Sequence, residues 1–538
     1  MNSIPFRSIK GFASIFCDYM ESVPYISQRF PHIDIQQEEV LIQKAQRYDR
    51  TLLMELLHSS LRHITLSEKQ QSNLEKVALP NTLTIITGQQ VGFLGGPLYT
   101  LYKAYSAIHE AESLQSQFKN LHCIPLFWIE DNDHDRQEAG TAYILDKQGI
   151  PQKITCPADT NISSLTSVSE LRITDEIVTV LAELEQQLPD TEFTQKLIPL
   201  LQSIYTVGTE WSLAFMRLMN IWFGEKGLLF IRASDVRTSG AFADIITQEL
   251  SHPLQTYHRI GQTNEELRQH GYTPQVEPSL VHVFHHQGGM RKKITYDDSR
   301  FHAGEITWTY DEILQEVKQY PENFSPNVLL RPLCQDHILP TLTYIAGPGE
   351  CAYFAQLKEC YELFGVDMPM IHARHSGTLV LPQHQRLLDK AEQSPFFFMR
   401  KYIDIEQDIL DKMNDKELEK LATETHLAFE QALLPLIHYG ERTDQTLKGA
   451  GAAAHKAVMD SVDTFKKKII AAKKRQEQTS FDRAKSLNNF LFPESAPQER
   501  ILSPIAIITK MSWQSFQETI NSLTAMSNQS HHIITFTH

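Results

Sequence analysis

Hydrophobic and polar positions recur with two different periods along the chain, and each change of period marks a predicted element. Residues 1–80 have the texture of helices, with amphipathic spacing from Val40 to Leu61. Thr82–Thr87 is short and β-rich and predicts a buried strand, and His122–Glu130 predicts a second strand. Between them, apolar residues recur at helical spacing: Leu98, Leu101, Tyr102, Tyr105, Ile108 and Ala111. This βαβ order predicts a parallel sheet with ligands at the carboxyl ends of its strands.

Strand-like runs continue beyond this first βαβ unit. Leu228–Ser234 and Met368–Arg374 predict two more core strands, and Val281–His286 followed by a glycine turn predicts a hairpin. An amphipathic helix is predicted after Glu350. Together these elements predict an α/β fold with a Rossmann-like parallel-sheet core.

The pattern changes in the last third of the chain, where apolar residues keep a 3/4 spacing over long distances. One seam runs from Leu418 to Leu436 and, after a break at Gly440, a second runs from Leu447 to Ala472. Residues 404–431 carry nine acids and three bases, whereas residues 448–485 carry ten bases and four acids. Two helices of opposite charge joined by a short turn are expected to pack as an antiparallel coiled coil. By shape, such an arm is a dimerisation or interdomain element.

The predicted organisation has four parts. A helical segment packs on the core, the core carries two insertions, the arm follows, and a last segment returns to the core. The predicted bounds are residues 1–80 for the helical segment, 81–383 for the core with insertions at about 151–205 and 235–325, 384–490 for the arm, and 491–538 for the last segment.

The net charge and the cysteines limit the partners and the cellular compartment that we expect. The net charge of −15 argues against broad binding to nucleic acid or anionic membranes, since such partners demand a basic surface. The six cysteines are far apart and form no CxxC pair, which is typical of reduced thiols. The sequence shows neither a signal peptide nor a membrane span of about 18 apolar residues. We expect a cytoplasmic protein that binds neither nucleic acid nor membrane.

The segment from Thr87 to Gly96 is the strongest local signal for a binding site. Dense glycines let the backbone approach a ligand closely, and the start of the following helix offers unpaired N–H groups to an anion. The alternative is a tight turn that serves packing alone. The segment matches neither a Walker loop nor GxGxxG, so it indicates no nucleotide class. The candidate binding residues are Thr87, Gly88, Gln89, Gln90, Gly95, Gly96, Tyr99 and Lys103.

A cluster of acids follows the second predicted strand. Like charges this close push their pKa values apart, which a fold tolerates mainly where it needs a base, a cation or a metal ion. If Asp135 begins a helix, His134 and Glu138 share one face of it. The alternatives are a solvent-facing helix cap and a Mg or Mn site. The candidate catalytic residues are Asp133, His134, Asp135 and Glu138, with Trp128 as a binding residue and no residue assigned as a metal ligand.

A third cluster of polar residues lies near the end of the predicted core. An arginine at a strand end can clamp a carboxylate through two parallel hydrogen bonds. Glu350 stands where a helix begins, so it either caps that helix or accepts a substrate ammonium group. Cys351 and Cys360 lack an activating base and are expected to be core residues. The candidate binding residues are Arg331, Gln335, Asp336, Gly347, Gly349, Glu350, Tyr353 and Arg374.

Four motifs, in this order, resemble the family of bacillithiol-biosynthesis enzymes that add cysteine. They are TGQQxGxxxGPLYTxYKA, FWxxxxDHDxxE, RPxxQDxxLPTxxYxxGPGExxYFAQL and MPMIxARxS, and they span roughly residues 80–380. The expected coiled coil lies behind them. The chain departs from the family at Asn132, where an acid is usual, so the resemblance carries no role to that position.

The resemblance implies a ligase that joins the carboxylate of L-cysteine to the amino group of glucosaminyl-malate, the last step of bacillithiol synthesis. Such chemistry needs an activated carboxylate, expected to come from ATP as an adenylate or acyl phosphate, together with a base and donors for the carbonyl oxygen. The glycine segment is expected to supply the donors, and His134 or Asp133 the base. Arg331 and Arg374 are expected to hold the malate carboxylates. From the shape of the arm, we also expect a homodimer formed through it.

Two other classes of protein remain open at this stage. One is a metal-dependent hydrolase that uses Asp133, His134 and Asp135. The other is a non-catalytic small-molecule-binding protein whose arm docks a partner, with the basic run Lys466–Lys468 as a solvated face or a phosphate pocket. The ligase interpretation requires residues 88–96 and 131–138 to form one pocket, because they follow neighbouring strands of one sheet.

Overall fold

A computed structural model describes residues 2–35, 37–159, 162–412, 416–476 and 478–536. The chain forms two compact units. The first consists of residues 1–380 and 496–538, and the second of residues 381–495.

Five parallel strands form the centre of the first unit. In chain order they are β1 (Thr82–Gln90), β2 (His122–Glu130), β3 (Leu229–Arg232), β4 (Thr341–Ala346) and β5 (Met370–Ala373). Hydrogen bonding arranges them as β5–β4–β1–β2–β3, with every neighbouring pair parallel. This is the strand order of a Rossmann-type half, in which the direction of winding reverses between β1 and β4. The predicted Rossmann-like parallel-sheet core is confirmed.

The sheet is covered by the helix that connects its first two strands. This helix, Leu98–Gln117, contacts both β1 and β2. Its Ala107, Ala111 and Leu114 lie in one core cluster with Leu83 and Ile85 of β1. The apolar positions that predicted the helix are all buried, because they form the stripe that faces the sheet.

Two predicted boundaries were wrong, and one helix boundary was not predicted. β1 continues to Gln90, because β2 pairs with it residue for residue as far as Glu130. The amphipathic spacing from Val40 to Leu61 runs across a helix boundary, since the Asp49 side chain accepts hydrogen bonds from the Thr51 and Leu52 N–H groups and starts a new helix. Arg331 does not end a strand; it is the first residue of a helix.

The other elements of the first unit surround this sheet. The predicted hairpin forms, with a turn at Gly288 and Gly289. The remaining strands are Asn2–Ile4, Thr141–Leu145, Pro151–Thr155, Val283–Gln287, Met290–Lys293, Thr295–Asp297, Arg300–Ala303, Ile306–Trp308, Phe324–Pro326, Ser376–Val380 and His531–Thr535. The remaining α-helices are Ser14–Met20, Pro24–Ser27, Glu38–Ala45, Arg50–Leu61, Glu68–Val77, Arg136–Ala139, Ile177–Gln187, Glu192–Ile204, Trp211–Phe223, Ala233–Thr238, Ala243–Ser251, Gln255–Gln269, Tyr310–Gln319, Arg331–Ile338, Pro348–Phe354, Lys358–Phe364, Gln498–Ile501, Ile505–Ile508 and Trp513–Thr524.

The second unit contains the predicted antiparallel coiled coil. Its helices are Pro382–Ala391, Tyr402–Lys412, Lys416–Thr443, Lys448–Gln476 and Gln478–Leu491. Lys466 Nζ lies 2.7 Å from Glu419 Oε1, and further along the pair Gly451 packs against Ile437, so the two long helices run in opposite directions. The first of them continues through Gly440 to Thr443, and the predicted break lies instead at the turn Gln445–Leu447.

No helix among the residues that the structure describes is long and apolar enough to cross a membrane.

Candidate active site

A cavity of about 770 Å³ opens at the carboxyl ends of β1, β2, β4 and β5. This is the point where winding reverses between β1 and β4, and open α/β sheets bind their ligands at such points. A second cavity of about 480 Å³ adjoins it. The two share a wall, which consists of Gln89, Gln90, Tyr99, Glu138 and Arg500.

Most of the candidate residues line these cavities. Those in the larger cavity are Gly88, Gln89, Gln90, Tyr99, Lys103, Trp128, Asp133, His134, Glu138, Arg331, Gly347, Gly349, Glu350, Tyr353 and Arg374. Asp135 lines only the smaller cavity. Thr87, Gly95, Gly96, Gln335 and Asp336 line neither. The predicted pocket between residues 88–96 and 131–138 is present, and Gln90 Nε2 donates to Asp133 Oδ2 across it at 2.9 Å.

The glycines of the segment from Thr87 to Gly96 serve mainly to allow close packing. This corrects the prediction that the segment is an anion-binding loop. A Cβ on Gly92 would lie 2.5 Å from the Gly96 Cα, and one on Gly95 would lie 2.6 Å from the Trp222 ring. The N–H groups of Val91, Leu94, Gly95 and Gly96 donate within the fold. The N–H of Leu98, at the start of the helix, donates to the Leu502 carbonyl at 2.8 Å. The segment therefore supplies the cavity with side chains and the Gly88 backbone, not with a row of free amides.

Gly88 has little room for a side chain. A Cβ there would lie 3.2 Å from the Trp128 carbonyl oxygen and 3.3 Å from the Tyr344 hydroxyl. The neighbouring Thr87 hydroxyl donates to the Ile345 carbonyl at 2.9 Å, so Thr87 joins β1 to β4 inside the sheet. Gly88 accordingly forms the floor of the cavity, and Thr87 lies beneath it.

Lys103 is a buried cation beneath the cavity floor. It is 2% exposed, donates to the Gly88 carbonyl, and lies 2.5 Å from Glu350 Oε2. Burial lowers the pKa of Lys103, and the Glu350 charge opposes that shift. Glu350 also accepts hydrogen bonds from the Tyr344 hydroxyl at 2.7 Å and from the Gly347 N–H at 2.6 Å. Glu350 thus caps its helix, as one of the two predicted roles requires, and pairs with Lys103 at the same time.

Asp133 is held by three neighbours. Arg291 Nη1 donates to Asp133 Oδ1 at 3.0 Å, Gln90 donates to Oδ2, and the His134 N–H donates to Oδ1 at 2.7 Å. His134 Nδ1 lies 3.3 Å from the same Oδ1. Because its oxygens are engaged, Asp133 is not suited to taking a proton itself. It lies beside His134 Nδ1, which has no hydrogen-bond partner among the described residues.

Asp135 directly precedes the short helix Arg136–Ala139, and Glu138 lies on it. The two carboxylates have different surroundings. Asp135 is the N-cap, since its side chain accepts a hydrogen bond from the Glu138 N–H at 2.8 Å. Glu138 lines both cavities. Burial raises the pKa of Glu138, and the charges of Asp135 and Asp133 raise it further.

The buried beginning of the acidic segment is structural. Asp131 is fully buried and accepts hydrogen bonds from the Ser234 N–H and hydroxyl at 2.8 and 2.7 Å. Burial raises the pKa of Asp131 to about 6. Asn132 accepts a hydrogen bond from Arg237 Nε at 3.0 Å, so an amide at this position has a partner in the fold.

Arg331 reaches the cavity from the start of its helix. Its guanidinium donates to Gln335 Oε1 at 2.9 Å and to the Tyr353 hydroxyl at 3.2 Å. Asp336 lies deeper, where it accepts hydrogen bonds from Thr341 and Tyr361 at 2.7 and 2.6 Å. Gln335 and Asp336 therefore support Arg331 and the fold from behind the cavity wall.

Arg374 follows β5 and is 3% exposed. Its Nη2 donates to Glu499 Oε1 at 2.7 Å and its Nη1 to the His375 carbonyl at 2.9 Å. Its guanidinium carbon lies 5.5 Å from the centre of the Tyr99 ring, which is close enough for a cation–π contact. Burial raises the pKa of Tyr99 to about 12, so its hydroxyl stays protonated at neutral pH.

Several cavity residues carried no usable sequence signal. Arg291 and Lys293 come from the second strand of the hairpin, Asn327 from a loop, and Arg500 from the segment after the arm. Tyr344 was detectable in principle, since it lies in the β-rich run Thr341–Ala346 directly before Gly347, although no strand was predicted there. The others are brought to the cavity only by the path of the chain.

No three His, Cys, Asp or Glu side chains lie close enough together to hold a metal ion within residues 2–35, 37–159, 162–412, 416–476 and 478–536. In the acidic segment, the reason is that Asp131, Asp133 and Asp135 point to different partners.

Comparison with known proteins covers both units. Residues 1–375 match the model described as "Bacillithiol biosynthesis BshC, N-terminal Rossmann-like domain", and residues 377–536 match "Bacillithiol biosynthesis BshC, C-terminal coiled-coil domain". Together these matches span nearly the whole chain.

Individual relatives are similar over the same extent. A protein of Salinibacter ruber is 30% identical over 517 residues, which are 94% of each chain. One of Chlorobium phaeobacteroides is 31% identical over 555 residues, covering 98% of this chain and 97% of the relative. Both are named "Putative cysteine ligase BshC". A solved chain from Campylobacter jejuni aligns at 11% identity with a TM-score of 0.24, covering 89% of this chain and 99% of its own, and this likeness carries no inference.

Proposed function

Because the chain belongs to the bacillithiol biosynthesis BshC family, we propose that it is a ligase that joins the carboxylate of L-cysteine to the amino group of glucosaminyl-malate. The product of this amide-forming step is the low-molecular-weight thiol bacillithiol. The relatives' names supply the cysteine ligase activity, and the resemblance of the sequence motifs supplies glucosaminyl-malate as the amino substrate.

The observation that carries the proposal is one cavity with two kinds of charge on its walls. Arg331, Arg374 and Arg500 suit the carboxylates of cysteine and of the malyl group, since guanidinium pairs well with carboxylate. Glu130 and Glu138 suit the ammonium groups that both substrates carry. Both substrates are zwitterionic or bear several charges, and a cavity of one sign would repel part of each.

We propose His134 as the base that removes a proton from the attacking ammonium group. It lines the cavity, and Asp133 lies against its Nδ1 while Arg291 and Gln90 hold Asp133. A carboxylate this close can orient the ring when the two groups hydrogen-bond, which is the arrangement that many enzymes use for proton transfer. Glu138, on the wall shared by the two cavities, would hold the ammonium group before its proton leaves.

We propose ATP as the source of activation for the cysteine carboxylate. ATP would supply a good leaving group on the acyl carbon, which a free carboxylate lacks. The glycine segment is poorly suited to its phosphates because the amides of Val91, Leu94, Gly95 and Gly96 donate within the fold. The cationic side chain of Lys293 in the same cavity is suited, since it has no carboxylate within ion-pair distance in the described part of the chain.

We also propose a cytoplasmic homodimer. The arm exposes large apolar side chains that an isolated coiled coil would be expected to bury. Examples are Leu436, Tyr439 and Phe465, which are 68%, 65% and 65% exposed. All six cysteines are free, as expected for a reducing compartment.

The test is turnover by the purified full-length chain. With L-cysteine, glucosaminyl-malate and ATP, mass spectrometry should detect the cysteinyl amide. A strain that lacks the gene should accumulate glucosaminyl-malate and lose the thiol. Hydrolysis of an added substrate by a divalent-metal form without nucleotide, and no amide product, would reject the ligase and favour the hydrolase.

A further inference from the structure

Two neighbouring residues of the segment that follows the arm face in different directions at the cavity. The short helix Gln498–Ile501 carries both of them. Glu499 is fully buried, whereas Arg500 is exposed and lines both the larger and the smaller cavity. One residue therefore anchors the helix and the next one reaches the shared wall.

The anchor is built from several hydrogen bonds. Glu499 accepts from Arg374 Nη2 at 2.7 Å, from the Ser376 hydroxyl at 2.9 Å and from the Gly377 N–H at 3.0 Å. The adjacent Gln498 side chain accepts from the Leu379 N–H at 2.8 Å. These bonds tie the helix to the strand Ser376–Val380, so the backbone of Arg500 is fixed relative to Arg374.

Within the described part of the chain, Arg500 has no carboxylate of its own, a feature it shares with Arg331 and Lys293 in the same cavity but not with three other cations nearby. Lys103 pairs with Glu350, Arg291 with Asp133, and Arg374 with Glu499. For Arg500, no carboxylate lies within 4.0 Å in residues 2–35, 37–159, 162–412, 416–476 and 478–536. A guanidinium on a concave wall without a protein partner retains its donors for an anionic ligand.

We propose that Arg500 is a specificity-determining residue that binds a malyl carboxylate of the amino substrate, with Arg374 beside Tyr99 as the second positive charge. This rests on the proposed function and deepens it, since it assigns the anionic end of one substrate to the wall shared by both cavities. Glu138 on the same wall then faces the amino end. The subsite takes a ligand that carries a dicarboxylate.

The experiment measures binding of glucosaminyl-malate to the full-length protein by isothermal titration calorimetry, without cysteine or nucleotide. Arg500→Ala should raise the Kd about 10- to 100-fold, the effect of losing hydrogen bonds to a charged group. Arg500→Lys should recover part of the affinity because it keeps the charge but not the planar fork. Binding of methyl glucosaminide, which lacks the malyl group, should be equal in all variants. Arg300→Ala, at an exposed arginine outside the cavities, is the matched control for charge and should bind like wild type.

The outcomes separate this inference from the proposed function. If wild type and Arg500→Ala bind glucosaminyl-malate equally, or wild type does not bind it, the subsite is wrong whatever the turnover. If binding follows the expected pattern but wild type forms no amide with cysteine, the subsite stands and the ligase proposal fails. A loss of affinity for methyl glucosaminide in Arg500→Ala would indicate a general structural effect and would also overturn the assignment.

Discussion

At the scale of single residues, the candidate site depends on how each buried charge is compensated. Lys103 and Arg374 are both nearly inaccessible to solvent, and each has a carboxylate partner. Taking an ion out of water costs roughly several kcal/mol unless a partner and further hydrogen bonds replace the lost hydration. Lys103 and Arg374 have such partners in Glu350 and Glu499. Burial would raise the pKa of Glu499, but the charges of Arg374 and His531 outweigh it and lower the pKa. These pairs hold Lys103 and Arg374 in fixed positions at the cavity wall.

The proposed roles of His134 as the base and of Glu138 as the ammonium-binding group predict two different kinetic effects. His134→Asn should lower kcat by about 10²- to 10⁴-fold with little change in KM, because general base catalysis is lost. Glu138→Gln should mainly raise the KM for glucosaminyl-malate, because the ammonium contact is lost. Steady-state kinetics of the two variants, with circular dichroism as a check on folding, test the assignment. Unchanged turnover in His134→Asn would exclude it as the base.

The pH dependence of binding follows from the pKa of Glu138. Burial and the neighbouring Asp135 and Asp133 raise this pKa, so the carboxylate becomes protonated at a higher pH than an ordinary glutamate. As pH falls through the raised pKa, the negative charge and the affinity for an ammonium group are lost together. The KM for glucosaminyl-malate should therefore rise on the acid side in wild type, and this rise should be absent in Glu138→Gln. Parallel KM–pH profiles for both proteins would contradict the role.

Asp131 predicts a separate effect on stability. Its pKa is raised from 3.8 to about 6, mainly by burial, so between these values the folded state binds the proton more readily than the unfolded state. Stability from this group therefore falls as pH rises through that window, by a total on the order of 3 kcal/mol. As pH rises from 4 to 7, the melting temperature of Asp131→Asn should increase relative to that of wild type. The exposed Asp298→Asn is the control and should follow wild type throughout; an equal shift in both variants would refute the assignment.

At the scale of elements, the turn between β1 and its helix depends on close backbone contact. Gly95 and Gly96 have φ values of 89° and 68°, in the left-handed region that favours glycine. Gly92 has an ordinary φ, but Gly96 lies against its Cα. The glycines are needed so that the strand can end at the cavity while the helix starts against Leu502.

This packing predicts opposite results for two Gly→Ala substitutions. Gly92→Ala should destabilise the protein by about 1–3 kcal/mol, because the new Cβ would lie 2.5 Å from the Gly96 Cα. Gly261→Ala, inside the helix Gln255–Gln269 with nothing within 4 Å of the new Cβ, should stabilise it by roughly 0.5–1 kcal/mol. Thermal unfolding monitored by circular dichroism measures both. A Gly92→Ala variant as stable as wild type would show that the turn relaxes freely.

At the scale of the whole molecule, the two units have different surfaces. The first unit buries its apolar side chains around the central sheet, whereas the long helices of the second leave many of theirs in solvent. A two-helix arm is too thin to bury apolar residues on all its faces, so a second copy of the chain is the partner that we propose.

The dimer proposal predicts a change in mass. Leu436→Glu with Tyr439→Glu places two charges among the exposed apolar side chains of the arm and should convert the dimer into a monomer of 61.7 kDa. Thr423→Glu with Gln431→Glu adds the same charge to exposed polar positions of the same helix and should leave the mass unchanged. Light scattering coupled to size-exclusion chromatography gives the masses. A monomeric wild type, or equal masses for both variants, would disprove this interface.

The local elements of the fold could be predicted because their signals are short-ranged. The β-rich run of β1, the apolar stripe of the following helix and the opposite charges of the two arm helices each lie within a few tens of residues. Since β2 immediately follows that helix, the juxtaposition of the glycine and acidic segments also followed from the sequence. Boundaries were less certain: the extension of β1 to Gln90 depends on pairing with β2, and the new helix after Val40 depends on the cap at Asp49.

The sequence by itself determined the fold class, the coiled coil and two walls of the cavity, because periodicity and charge are properties of contiguous residues. Only the tertiary structure decided which polar groups are free to act. Asp131 accepts a hydrogen bond from Ser234, Asp133 pairs with Arg291, and Arg374 pairs with Glu499. Each partner comes from a distant part of the chain. Arg500 reaches the cavity because the last segment returns to the first unit after the arm. Such partnerships depend on the path of the whole chain, since a hydrogen bond requires two groups within about 3 Å of one another whatever their separation in sequence.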